Sequence, residues 1–312
     1  MKIDENRLAA FVNDLDIQAV KCSSHLMDIP IAFRDLHAAV NFHINLHLFN
    51  FGHGFRHPLH KICGRGAWQT MKQGIMSLQL NTKNGFIDAD TLIKLSVESV
   101  NQFFQFPTSG SSSVVEEIFP LRDMILKVAH FTGRRLIELG YSSFADFIFE
   151  NSSGSQPSSL RLIESLADNF PAFDDRRVIN KGKEVLFLKK AQIAVAELYQ
   201  KLENELSEKI PFEDIKKITV VCDNVLPCVL RGLGILKIDS KLESKIDRKK
   251  ILPAGWQEAQ LRASAICAVE MILQKANGAF WAKEIGDFLW TLGKVPKFRK
   301  IERHATINTC FY

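Results

Sequence analysis

The chain has 312 residues, 46% hydrophobic and 24% charged, enough apolar material for one large core or two modest ones, which excludes disorder over most of its length. Its 40 basic and 35 acidic residues leave a formal charge of +5, spread along the chain. That mild excess suits a small anionic ligand; a protein dedicated to long nucleic acid carries a concentrated Lys/Arg stripe, because phosphate neutralisation supplies most of its affinity.

The opening MKIDENRLAAF places Asp4, Glu5 and Asn6 where a targeting peptide needs basic residues and an apolar run, so a cytoplasmic location is expected. The apolar runs beyond it are too short to span a membrane. Apolar residues recur at i, i+3, i+4 and i+7 over residues 32–49, 66–80, 89–104, 118–139, 160–169, 189–208 and 257–274, which predicts a mainly helical, all-α protein with at most a few short strands. Asp88 and Asp90 precede Leu92, Gly140 follows Leu139, and Pro211 opens a new segment, all boundary signals. The strand candidates are 217–222 and 184–188. Two Ser/Gly-rich breaks, 108–113 and 151–159, read as loops. The helical pattern resumes after each and no repeat is found, so a single domain over 1–312 is expected, as one interlocked body or two helical lobes. Six scattered cysteines without C-x-x-C spacing read as buried free thiols.

Five histidines, His43, His47, His53, His57 and His60, crowd into one stretch, with i, i+4 spacing in two pairs. On a helix such pairs point two imidazoles the same way, as in a metal site. Against a metal, no glutamate stands between them and Gly52, Gly54 and Pro58 interrupt a helix across the second pair. NFGHGFRHPLH then reads as a glycine-bent loop that brings backbone, Phe51, Phe55 and a hydrogen-bonding side chain such as His53 close to a flat ligand, or as an ordinary loop with solvated histidines. Lys189-Lys190 opens a helix, where cations oppose the helix dipole; the pair either gathers an anion with the free N–H groups or lies on a solvated face. Asp223 follows the apolar run ITVVC and is either the cap of the next turn or a charge held in a partly apolar pocket to stabilise a developing cation. Trp256 and Glu258 start a helix in which Glu258 and Arg262 form an i, i+4 pair, and the glutamate can equally accept from a base edge. The aromatic, basic segment 299–312 suggests a buried tail.

FPAFDD at 170–175, FLKKAQI at 187–193, FEDIKKITVVCDNVLP at 212–227, LGIL at 233–236, QEAQLR at 257–262, FLW at 288–290 and the final Phe-Tyr keep an order and spacing that resembles the queuosine salvage protein family. Asn50-Phe51 matches that family's Asn-Phe element. The resemblance implies a helical fold related to helix-hairpin-helix DNA glycosylases and hydrolysis of queuosine 5′-phosphate to queuine and ribose 5-phosphate, without metal, cofactor, membrane or any direct nucleic-acid requirement. It places Asp223 at the catalytic aspartate, whose fixed charge would stabilise the positive charge developing on the sugar, by covalent attack or by orienting water. Lys189 falls on the basic position suited to the 5′-phosphate, helped by Arg303. Phe51, or Trp256 or Trp290, would stack on the 7-deazaguanine, Glu258 would accept from its edge, and Asp174 or Asp175 would meet the sugar hydroxyls. Two other readings are a nucleic-acid glycosylase or helical nucleic-acid binder, and a metal-dependent hydrolase built on His43 to His60.

Overall fold

The computed structural model describes residues 1–23, 29–108, 113–153, 156–179, 183–201 and 211–312. Helices dominate, as the periodicity requires. In chain order they are β1 (Lys2–Ile3), α1 (Glu5–Asn13), α2 (Ile17–Ser23), α3 (Leu36–Leu48), α4 (Arg56–Cys63), α5 (Ala67–Asn81), α6 (Ala89–Ile93), α7 (Val97–Phe104), α8 (Ser113–Glu116), α9 (Phe119–Glu138), α10 (Phe144–Asn151), α11 (Ser159–Asn169), β2 (Arg176–Ile179), β3 (Lys183–Leu186), α12 (Lys189–Lys201), α13 (Val225–Gly232), β4 (Leu236–Lys237), α14 (Ser240–Asp247), α15 (Trp256–Lys275), α16 (Ala282–Leu292) and α17 (Pro296–Arg299). The strands form two antiparallel pairs, β1 with β4 and β2 with β3.

α3 is buried on every side from Ala38 to Leu48, its polar residues included. Within it, Asn41 accepts from the Phe144 backbone N–H at 3.1 Å and donates to the Ile87 carbonyl at 2.7 Å. It starts at Leu36, after Asp35 accepts from the Ala38 N–H at 2.7 Å, and packs against α5, α10 and α12. Buried apolar residues fall mainly into two clusters. One is built on α3 to α12; the other combines Leu8 and Val20 with α13, α15 and α16. β1 pairs with β4 through Ile3 and Leu236, α1 packs on α15 and α2 on α16, so the first helices belong with the last third of the chain.

Several expectations change. The 89–104 pattern is two helices, because Ser96 accepts from the Ser99 N–H and restarts the backbone as an N-cap. Residues 217–222 are not a strand: Ile215–Lys217 is a 3₁₀ turn, and Thr219 beyond it donates its N–H to the Gln192 side chain at 2.9 Å instead of to a sheet. Pro58 does not interrupt a helix, since it sits in the first turn of α4 where its missing N–H has no partner to lose. The thiols are not uniformly buried, with Cys22 and Cys267 exposed. Residues 109–112 and 154–155 of the two Ser/Gly-rich breaks, and 202–208 of the 189–208 pattern, lie outside the described residues. Among the described residues, no helix is long and apolar enough to cross a membrane.

Candidate active site

An open cavity is lined by residues from both clusters. α12 supplies Lys189, Ile193 and Glu197 at i, i+4 and i+8, one face of one helix. The turn after α3 supplies Asn50 and His53, the start of α13 supplies Asp223, and Trp68, Asp287, Trp290 and Lys294 complete the polar and aromatic wall.

Asp223 combines both roles open in the sequence. One carboxylate oxygen, Oδ1, accepts from the Val225 N–H at 2.7 Å and caps the turn into α13. The other, Oδ2, lies 3.5 Å from His53 Nε2. The preceding carbonyl, of Cys222, accepts from Arg262 Nε at 2.9 Å, which fixes the backbone from behind. Burial pushes the Asp223 pKa up, but His53, Lys189, the Val225 N–H and Arg303 outweigh it and hold the group below the usual carboxylate value. Asp223 is therefore ionised although only 6% exposed. Burial drives the His53 pKa down to about 4 against the pull of Asp223, which leaves the imidazole neutral near pH 7. Burial likewise brings Lys189 down to about 8, with Asp223 opposing. Its Nζ donates to the Asn50 carbonyl at 3.2 Å and to Asn50 Oδ1 at 3.0 Å, which leaves one of three ammonium protons for a ligand.

The sequence-predicted residues separate into two groups. Asn50, His53, Lys189 and Asp223 meet at the cavity. Phe51 does not face it: the ring is in the core beneath Lys190, whose Nζ stands 5.1 Å from the ring centre and donates to the Leu48 carbonyl at 2.8 Å. Trp256 is half exposed at the start of α15 and is not part of the cavity wall. Glu258 and Asp175 are buried partners of Arg262, Glu258 Oε1 at 3.2 Å and Asp175 through both of its oxygens. The guanidinium also lies 4.1 Å from the Phe187 ring centre and 4.6 Å from that of Tyr312. This group braces the wall that carries Asp223, because a buried arginine needs paired charges and aromatic faces. Arg303 donates to the Gly293 carbonyl at 2.8 Å and acts on Asp223 from outside the cavity wall.

The histidines disperse. His47 Nε2 is 3.0 Å from Glu197, His53 faces Asp223, His57 Nε2 is 2.9 Å from Glu302, and His43 packs on Phe33 and Phe42. Among the described residues no three His, Cys, Asp or Glu side chains are placed to hold a metal ion. Trp68, Glu197, Asp287 and Lys294 are cavity residues that the sequence did not single out. A charged residue on an amphipathic helix looks solvated until the opposing surface is known, and only the i, i+8 spacing from Lys189 offered a signal for Glu197.

Fold and site together define a helical protein with an ionised aspartate, a neutral imidazole and an ammonium around one open cavity. The chain belongs to the queuosine salvage protein family, whose model matches residues 34–312. It is 30% identical over 229 residues to the queuosine 5′-phosphate N-glycosylase/hydrolase of Sphaerobacter thermophilus, covering 72% of this chain and 66% of the relative. The protein of the same name from Dictyostelium discoideum is also 30% identical, covering 72% and 65%, and the one from Mus musculus is 32% identical, covering 57% and 49%. The chain thus spans about two thirds of the length of the first two relatives and about half of the third.

Proposed function

We propose that this chain hydrolyses the N-glycosidic bond of queuosine 5′-phosphate and releases queuine for salvage into tRNA modification. The observation that carries the reading is Asp223, an ionised carboxylate held on the wall of a cavity in a member of a family whose relatives are named for this reaction. As the C1′–N bond lengthens, its electron pair leaves with the base and positive charge spreads over the ribose. A fixed carboxylate lowers the energy of that state more than of the neutral nucleotide, since the charge it meets exists only there. The Val225 N–H keeps Oδ1 in place, so no reorganisation is needed as the charge appears. Water then gives hydroxide to C1′ and its proton to the base, and the products are queuine and ribose 5-phosphate. Lys189, through its remaining N–H, is the cation beside Asp223 available to the 5′-phosphate.

The test is mass-spectrometric detection of queuine released by purified protein from queuosine 5′-phosphate, with queuosine and guanosine monophosphate in parallel and a chelator control. Chelator-insensitive release from queuosine 5′-phosphate is the expected result. Asp223→Asn, which removes charge without volume, is expected to keep the fold and ligand binding and to lose turnover by about 10³-fold or more, on the scale of other fixed charge-stabilising groups. No release by the wild type, or wild-type turnover in the variant, overturns the proposal.

A further inference from the structure

Two carboxylates besides Asp223 line the cavity, Glu197 and Asp287; Asp287 is paired with Lys283, and the proposed chemistry at Asp223 leaves Glu197 without a task. It lies two turns along α12 from Lys189 on the same face, a rise of about 12 Å between the two positions. That length accommodates a bicyclic base with a polar group at each end. The indoles of Trp68 and Trp290 belong to the same wall.

The carboxylate is held by a chain of hydrogen bonds that begins at Lys189. Lys189 Nζ donates to Asn50 Oδ1 at 3.0 Å, which turns the Asn50 amide nitrogen toward His47 Nδ1 at 3.5 Å. With Nδ1 accepting, the His47 proton sits on Nε2 and is donated to Glu197 Oε2 at 3.0 Å. Trp68 lies parallel to the His47 ring, 12° between planes and 6.3 Å between centres. Burial pushes the Glu197 pKa up, yet His47, Lys283 and His43 hold it below the usual value. Glu197 is therefore an ionised acceptor, and it has no proton to offer.

We infer that Glu197 reads the base: its carboxylate accepts from an edge with adjacent N–H donors, as in a guanine-type base, while Trp68 and Trp290 lie against the ring. This rests on the proposed reaction for the orientation of the nucleotide. An adenine-type edge sets a ring-nitrogen lone pair against the carboxylate and is rejected by repulsion as well as by the lost bond. Glu258, the sequence's candidate for this role, pairs with Arg262 through Oε1 and is not on the wall of this cavity.

The experiment is equilibrium binding of 7-deazaguanine, 7-deazahypoxanthine and 7-deazaadenine to the full chain, followed by tryptophan fluorescence. The wild type is expected to prefer 7-deazaguanine over 7-deazaadenine by about tenfold or more, the scale of one bidentate base contact. 7-Deazahypoxanthine, which lacks the exocyclic amine, is expected to fall between them. Glu197→Gln is expected to bring 7-deazaguanine and 7-deazaadenine within about threefold of each other, since it loses one acceptor oxygen and both charge effects, and to raise KM for queuosine 5′-phosphate more than it lowers kcat. Equal wild-type affinity for the three bases overturns the inference, and so does an unchanged preference in Glu197→Gln. The ligand series tests it on the wild type alone should the variant not fold. Queuine release without base preference defeats this inference and leaves the reaction standing; base preference without release does the reverse.

Discussion

Lys189 sets the alkaline side of the site's chemistry. Its ammonium is 3% exposed and bonded twice to Asn50, and burial has brought its pKa down to about 8. Above that value the proton leaves, Asn50 loses its donor, and the cation beside Asp223 disappears. From about pH 7 to about pH 10 the substrate phosphate stays ionised, so a limb in this window does not come from the phosphate. Burial also brings Lys190 down to about 8, and the arginine variant of Lys189 separates that residue from Lys190 and from groups on the base. We expect kcat/KM to fall about tenfold per pH unit above about 8. Lys189→Arg, which keeps its charge throughout, moves that limb out of the window in whatever activity remains. A wild-type profile flat to about pH 10 would show that the ammonium is not needed. Lys189 and Asp223 were legible in sequence because each is locally anomalous, a cation at a helix start and an acid after an apolar run; His53 stood out in a glycine-bent histidine stretch, and Asn50 only through the family's Asn-Phe element. Glu197 was not, because its meaning depends on His47, 150 residues away. Glu258 looked free to meet a ligand because Asp175, which shares Arg262 with it, lies 87 residues from that arginine.

At the scale of elements, the turn from α3 into α4 tolerates least; the sequence marked its glycine bend but read residues 56–60 as loop, where α4 has already begun at Arg56. Gly52 adopts φ 90°, a left-handed conformation that side chains resist, and its N–H donates to the Tyr312 carbonyl at 3.1 Å. A Cβ at Gly54 would overlap the Thr306 carbonyl oxygen. The turn and the 304–312 segment are thus packed backbone to backbone, with His53 between two glycines that permit the approach. Gly54→Ala is expected to cost about 1–3 kcal/mol, the usual penalty for overpacking, visible as a lowered Tm. It should also reduce kcat, because His53 and Thr306 cannot both keep their places. A Tm within a degree of wild type would mean that the tail is not clamped there. The glycines were readable as bends, but the partner they admit was not, since nothing local marks 304–312 as the neighbour of residue 54. Elsewhere helix periods were readable and breaks were not. Leu95 continues the apolar pattern through the Ser96 cap, and the β-branched run before Asp223 resembles a strand although Gln192 takes the Thr219 N–H.

For the molecule as a whole, the cavity depends on two apolar clusters that are not contiguous in sequence. Asn50, Lys189 and Glu197 are carried by elements of the α3–α12 cluster, whereas Asp223 enters α13, which packs with α15 and α16 and with the first helices of the chain. Composition indicated enough apolar residues for two cores, but the pairing of β1 with β4 is a long-range contact that no local pattern encodes. Leu8, on α1, is fully buried in the second cluster. Leu8→Ala is expected to cost about 2–5 kcal/mol as a large-to-small core substitution. The loss should not fall on the sequence neighbours of Leu8 alone: hydrogen exchange should accelerate in α13, α15 and α16, more than 200 residues away by the numbering, while α3 and α5 keep their protection. A ligand that touches both Asp223 and Glu197 bridges the two clusters, so at about 100 times its Kd it should return about 2.7 kcal/mol to the folded state. That recovery should reach α13 and α12 together. Acceleration spread evenly over all helices would instead mean that the two clusters unfold as one unit, and recovery confined to α12 would mean that the ligand does not reach Asp223.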